Sequence, residues 1–328
     1  MYRLLRKGMR KGYAHLQNED GVALLITLLV VTLLVVMVLE FNYQARVETE
    51  ITANFRDGTK AYYLARSGVH FAAALLKEDT ENTYDALTED WAQEIPPLPL
   101  GDGTITLRII DEERKFDLNR LVQPNGITID RDRVTILENL FDILDLDPRL
   151  VDPILDWITP AGDQRPSDIP TFDYGDRGYE SKHAPLDLVS ELQLIQGFSK
   201  EVLLRLGGKP LGEGVDFTLS DYLTTFSKEG KINVNTASKE VLQSLSADIT
   251  EGMAEEILLT REETPFERIE ALQSLLPGIY ESIKPFITVS SHYYTVVATG
   301  TVGEISKEII AVLKKGDQQI EFVSWQVR

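Results

Sequence analysis

Cysteine is absent from this chain of 328 residues. That excludes disulfides, thiol chemistry and a lipid anchor on cysteine, so the fold relies on its core or on bound metal. Histidine is scarce, at four residues (His15, His70, His183, His292) scattered along the sequence. No nucleophile motif or phosphate-cradling loop accompanies them, so an enzyme is not expected. Positive charge is also short: 33 Lys and Arg stand against 52 Asp and Glu, for a net charge of −19. A balance of that sign repels nucleic acid and anionic lipid. The length allows a membrane helix plus one or two domains with real cores.

The apolar residues are unevenly spread. From Val22 to Leu39, 18 residues carry no charge, and only Thr27 and Thr32 are polar. As a helix this run spans about 27 Å, close to the hydrocarbon thickness of a bilayer. Before it stand Arg3, Arg6, Lys7, Arg10 and Lys11, a basic flank that predicts a cytoplasmic N-terminus. A secretory signal has a shorter apolar region followed by small residues, whereas this run ends in Glu40-Phe41-Asn42-Tyr43. The amphipathic spacing of Val47, Ile51, Phe55, Tyr62, Ala65, Val69, Ala72 and Leu76 continues the helix to about Lys77, with a bend expected near Gly58.

A basic leader ending in Gly21, followed at once by the apolar helix from Val22, resembles the class III signal of type IV pilins and type II secretion pseudopilins. The resemblance implies that a prepilin peptidase cuts between Gly21 and Val22 and methylates the new N-terminus. Most such proteins carry Glu at the fifth residue after the cut; here that residue is Ile26. Among type II pseudopilins, minor pseudopilin K is the member that habitually lacks this carboxylate.

Residues 78–103 are acidic, then Pro-rich (Pro96, Pro97, Pro99), and read as a loop. Thr104–Ile110 alternates with period two and predicts a strand running into Asp111–Leu121. Two apolar helical faces follow, Val134–Leu144 and Leu150–Ile158. Asp152–Ile158, with its Asp156-Trp157-Ile158, resembles a segment of minor pseudopilin K that the family follows with calcium-coordinating acids; Thr159 stands here where the family has Asp. On that resemblance Asp156, Asp163, Asp168, Asp173, Asp176 and Glu180 are the candidate Ca²⁺ ligands, since Ca²⁺ takes six to eight hard oxygens. By composition alone they are solvated loop acids.

Leu186–Ser199 predicts a helix stopped by Gly197, with another from Lys200 to Leu206, then a loop holding Gly207, Gly208, Gly212 and Gly214. The string Lys231–Leu242, with Asn233-Val234-Asn235-Thr236-Ala237, also resembles the minor pseudopilin K family; Thr236 or Ser238 is placed to cap a helix. The same string, followed by paired helices, resembles helix-hairpin-helix DNA-binding modules, which makes a membrane-anchored DNA-uptake receptor the alternative. Chemistry opposes it. The first turn, Ser246–Thr250, lacks the glycines that expose phosphate-binding amides, and 231–290 carries five basic residues against ten acidic ones.

Tyr293–Gly300, Ile305–Leu313 and Ile320–Val327 predict antiparallel strands. Strand sequence thus flanks the helical block on both sides. The expected fold is α+β: a long N-terminal helix and a pilin-like antiparallel sheet interrupted by a large α-helical insertion of SAM or helix-hairpin-helix type. The expected divisions are a leader 1–21, a transmembrane part 22–39, an amphipathic part 40–77, a first head segment 78–110, the insertion 111–285 and the last strands 286–328. Resemblance to minor pseudopilin K across almost the whole chain implies an inner-membrane anchor with a periplasmic head. It also implies a filament-tip complex with minor pseudopilins I and J, reached through the helix stripe around Val47–Leu76, and no nucleic acid.

Overall fold

The computed structural model describes residues 19–79, 83–162, 165–199, 202, 218–316 and 319–328. A single helix, α1 (Glu19–Glu78), opens the chain and passes through Gly58 without a break. The chain divides into two compact units between Thr59 and Lys60. In the first, every large apolar side chain from Val22 to Leu39 is exposed. The two hydroxyls in that run are satisfied by the helix itself: Thr27 Oγ1 donates to the Leu24 carbonyl (2.9 Å) and Thr32 Oγ1 to that of Leu28 (2.8 Å). Nothing polar on these side chains opposes burial in lipid. Among the described residues this is the one helix long and apolar enough to cross a membrane.

The second unit holds a five-stranded antiparallel sheet in the order β1-β2-β7-β8-β9. Its strands are β1 (Ile95–Leu100), β2 (Gly103–Asp111), β7 (Tyr293–Val302), β8 (Ile305–Lys315) and β9 (Ile320–Val327). The predicted strands are all present, and β1 is an addition in the stretch read as a loop. Its three prolines cannot donate to a ladder, which suits an edge strand. One face of the sheet carries α1. Ala65, Val69, Ala72 and Leu76 share a core with Leu107, Ile109, Tyr294, Val296, Ala298, Ile309, Ala311 and Leu313. The later half of the stripe expected to meet partners is therefore spent on the protein's own sheet. Gly300 makes the close fit possible, since a Cβ there would lie 2.1 Å from the Ala61 carbonyl oxygen.

β2 and β7 are neighbours, in register from Gly103↔Val302 to Asp111↔Tyr294. Everything from Glu112 to His292 lies between them in sequence, with its own large apolar core. That block contains α2 (Arg131–Ile143), α3 (Val151–Ile158), α4 (Lys239–Ser244), α5 (Glu251–Glu263) and α6 (Tyr280–Ile283). It also holds two short parallel pairs, β3 (Phe116–Asp117) with β4 (Leu223–Thr224) and β5 (Ile232–Asn233) with β6 (Ile287–Thr288). Asp130, Ser238 and Thr250 cap α2, α4 and α5 by accepting from the Arg133, Val241 and Met253 amides. The stretch expected as a helix after Leu186 is a 3₁₀ helix, Val189–Leu194. The helix expected from Lys200 to Leu206 and the glycine loop after it lie outside the described residues, Val202 apart.

Candidate functional site

A functional site in this chain has to be sought where the insertion joins the sheet and where acidic side chains gather. The junction begins at Asp111, the last residue of β2, which is buried. Its Oδ2 accepts from Thr236 Oγ1 (2.5 Å), Ser291 Oγ (2.7 Å) and Asn233 Nδ2 (3.3 Å), and its Oδ1 from the Glu113 amide (2.8 Å). Burial pushes the Asp111 carboxyl up to about 7; the Thr236 and Ser291 hydrogen bonds pull against that rise, and Glu113 and Asp85 add to it by repulsion.

The neighbouring carboxylates are also buried and occupied. Glu112 receives Lys115 Nζ (2.7 Å), Thr224 Oγ1 (2.5 Å) and Thr295 Oγ1 (2.7 Å). Glu113 accepts from the Lys228 amide (2.8 Å) and from the His292 amide. Asp85 takes Tyr294 Oη (2.5 Å), the Ser291 amide (2.7 Å) and Lys315 Nζ (3.2 Å). These groups tie five separate stretches of sequence to one seam: Asp85, 111–115, 224–236, 291–295 and Lys315. The Asn233–Thr236 string, conspicuous in sequence, is the insertion's share of it. Asn235 closes a second pair of bonds with Phe266, donating to its carbonyl (2.9 Å) and accepting from its amide (2.8 Å).

The candidate calcium ligands are placed differently. Asp156 is fully buried at the end of α3, and Arg165 Nη2 sits on its Oδ1 at 2.5 Å while the Phe172 amide approaches Oδ2 at 3.4 Å. Thr159, in the place of the family's Asp, is buried, and its hydroxyl has no hydrogen-bond partner among the described residues. Asp168 pairs with Arg131. Asp173 accepts from the Gly175 amide (2.8 Å), Asp176 and Glu180 are exposed, and Asp163 lies outside the described residues. As they stand, these carboxylates do not fit a preformed calcium cage. Two are neutralised by arginines, and no three of the described ones converge.

The one described trio whose ligand oxygens lie within 4.8 Å of one another is Asp79, Asp85 and Glu89. Part of its charge is offset by Lys315, 2.7 Å from Asp79 and 3.2 Å from Asp85. The trio lies within one short stretch of sequence that reads only as an acidic loop; its contact with Lys315 is made by the sheet.

Gly21 and Val22, the residues expected to flank the processing cut, lie in the first turns of α1, both exposed, and a Cβ at Gly21 would touch nothing. The alternative reading as a DNA-binding module finds no support in the helical block. Arg261 is buried on α5, donating through Nη1 to the Val234 and Ala237 carbonyls at 2.7 Å each. Burial pulls its guanidinium down to about 10, with Arg114 nearby adding to the effect. Lys239 is held by Glu251 and Glu255, so these two cations are engaged within the protein.

Comparison with known proteins follows the same lines. The profile described as "Type II secretion system (T2SS), protein K" matches residues 232–289, and a second, for the first part of protein K, matches 114–208. These spans cover the Asn233–Thr236 string and the Asp156-Trp157-Ile158 segment. Over these two spans the chain is similar to the type II secretion system protein K family. Similar protein K chains include one from Pseudomonas aeruginosa, 26% identical and covering 92% of this chain and 90% of the relative. Another, from Aeromonas hydrophila, is 22% identical over 92% and 94%. A third, from Klebsiella pneumoniae, is 24% identical over 91% and 93%. The fold matches a chain in the crystal structure titled as the GspK-GspI-GspJ complex from enterotoxigenic Escherichia coli. There the TM-score is 0.62 at 18% identity, covering 87% of this chain and 99% of that one.

Proposed function

We propose that this protein is the tip minor pseudopilin of a type II secretion pseudopilus. In this reading α1 anchors it in the inner membrane with the head in the periplasm. It joins minor pseudopilins I and J to start or cap the filament that exports folded proteins, and its role is structural rather than enzymatic. The observation that carries this reading is a pilin-type arrangement, a helix from Ala65 to Leu76 seated on an antiparallel sheet, with a bulky block inserted between adjacent strands β2 and β7. The test is co-purification of the full-length chain with minor pseudopilins I and J from detergent. A stable three-component complex is expected, and recovery of the chain alone would overturn the reading.

The reading includes processing by prepilin peptidase between Gly21 and Val22. Gly21→Ala is expected to accumulate uncut, and because a Cβ there meets nothing, the defect reports the peptidase site rather than folding. A mature protein that starts at Met1 would remove this step.

Calcium in the loop from Asp156 to Glu180 is a second proposal. Its support is the density of carboxylates there; against it stand Arg165 on Asp156 and Arg131 on Asp168. Binding to the native state alone would add about 2.7 kcal/mol at a hundredfold excess over Kd. Thermal unfolding of the full-length chain is expected to shift upward in millimolar calcium relative to EDTA. Equal midpoints, with no metal by elemental analysis, would remove the proposal.

A further inference from the structure

The face of the sheet that carries α1 is wider than α1. The helix shares its core with β2, β7 and β8, so it is centred on β7. Strands lie about 4.8 Å apart, which puts β9, two strands from β7, roughly 9.6 Å to one side. Packed helices lie 8–10 Å apart. A second helix laid beside α1 would therefore rest on β9.

β9 is built to receive one. Its pairing sets Val327 opposite Ile309, Trp325 opposite Ala311 and Phe322 opposite Leu313, on the face that α1 occupies. Yet Phe322 is 42% exposed, Trp325 36% and Val327 50%. Phe322 bridges the gap to the helix, its ring 5.4 Å from His70 and 6.0 Å from Trp325. Elsewhere on this face the chain supplies its own cover: Trp91 is buried against Tyr294, with ring centroids 5.1 Å apart. Over β9 three large apolar side chains are left open.

Charge narrows what can lie there. Helical spacing places Arg66 and Lys77 on the flank of α1 that presents His70. Both are exposed, and neither makes an ion pair among the described residues, although the chain as a whole carries −19. They stand 11 residues apart, about 16 Å along the helix. We infer that the shelf formed by β9 and this flank of α1 is the docking site for an amphipathic helix of another pseudopilin subunit. That helix sets an apolar stripe on Phe322, Trp325 and Val327, and acidic residues about three turns apart on Arg66 and Lys77. The inference rests on the tip-subunit reading above and names the surface through which the partner binds.

The test uses the full-length chain co-expressed with minor pseudopilins I and J and purified from detergent. Trp325→Glu and the double variant Arg66→Glu/Lys77→Glu are expected to reduce recovery of partner at least tenfold. Gln326→Glu, on the opposite face of β9 where it pairs with Ile310, is expected to leave recovery unchanged. A benzoyl-phenylalanine at position 325, which keeps the apolar surface, is expected to crosslink to a partner helix, and one at 326 is not. Crosslinking keeps the proposal falsifiable if Trp325→Glu unfolds. If the wild type recovers its partners and neither the charge reversals nor position 325 registers contact, the shelf is refuted and the tip reading stands. If the wild type recovers no partner, both fall together.

Discussion

At the scale of single residues, the seam around Asp111 makes a testable statement about pH. Asp111 ionises near 3.8 in an unfolded chain and near 7 when buried. Between those values the native state holds a proton that the unfolded state has lost. Its contribution to stability therefore falls as pH rises from about 4 to about 7, and is level above that. Asp111→Asn removes the titration. The wild type is expected to lose thermal midpoint between pH 5 and pH 7.5 relative to Asp111→Asn, and parallel pH profiles would refute the assignment. Little of this was legible in sequence. Asn233 and Thr236 were conspicuous as a string, but their partners Asp85 and Asp111 stand more than a hundred residues away. Asp156 is conspicuous too, a ligand by resemblance; its partner Arg165 stands nine residues further on, in the loop after α3, and no periodicity points to it.

At the scale of elements, legibility followed periodicity. α1 showed itself by an all-apolar run that passes into a stripe, and β2 and β7–β9 by alternation. β1 escaped because three prolines in six residues read as a loop; an edge strand has one side free of the ladder and tolerates them. The 3₁₀ helix Val189–Leu194 was read as a helix because its apolar spacing over six residues cannot distinguish the two. The contact of α1 with β7 supplies the prediction at this scale. A Cβ on Gly300 would meet the Ala61 carbonyl oxygen at 2.1 Å, the Ala65 nitrogen at 2.7 Å and Leu64 Cβ at 2.8 Å. Two of these are backbone atoms and cannot turn aside. Gly300→Ala is expected to push α1 off the sheet at a cost of about 1–3 kcal/mol or more. The measurement is the thermal unfolding midpoint, with faster proteolysis after Lys77 as a second sign. An unchanged midpoint would show that the helix is not seated there.

At the scale of the whole molecule, the size of the insertion leads to a prediction about copy number under the proposed tip role. A block running from Glu112 to His292 is far larger than a pilin head requires, and Ile26 offers no carboxylate to an incoming N-terminal amine, whose unpaired burial is costly. Labelled protein is expected once per pseudopilus, at one end, and Ile26→Glu alone is expected to change little because the block still obstructs. Label at regular intervals along purified filaments would refute this.

The adjacency of β2 and β7 also governs how the chain folds. Their pairing joins residues separated by roughly 200 positions, and closing so long a loop from an open chain is slow. The inserted block removes most of that burden, because its two ends meet: the Glu112 amide donates to the Tyr293 carbonyl at 2.9 Å, and Glu113 accepts from the His292 amide. Once its own core has condensed, β2 and β7 are delivered side by side with only their register left to find. Until the last thirty-odd residues are in place, β2 pairs with β1 alone and keeps an open edge, the kind of edge that recruits other chains. A core variant such as Leu137→Ala, buried in the block's own core rather than the sheet's, is therefore expected to slow closure of the sheet as well as to weaken the block.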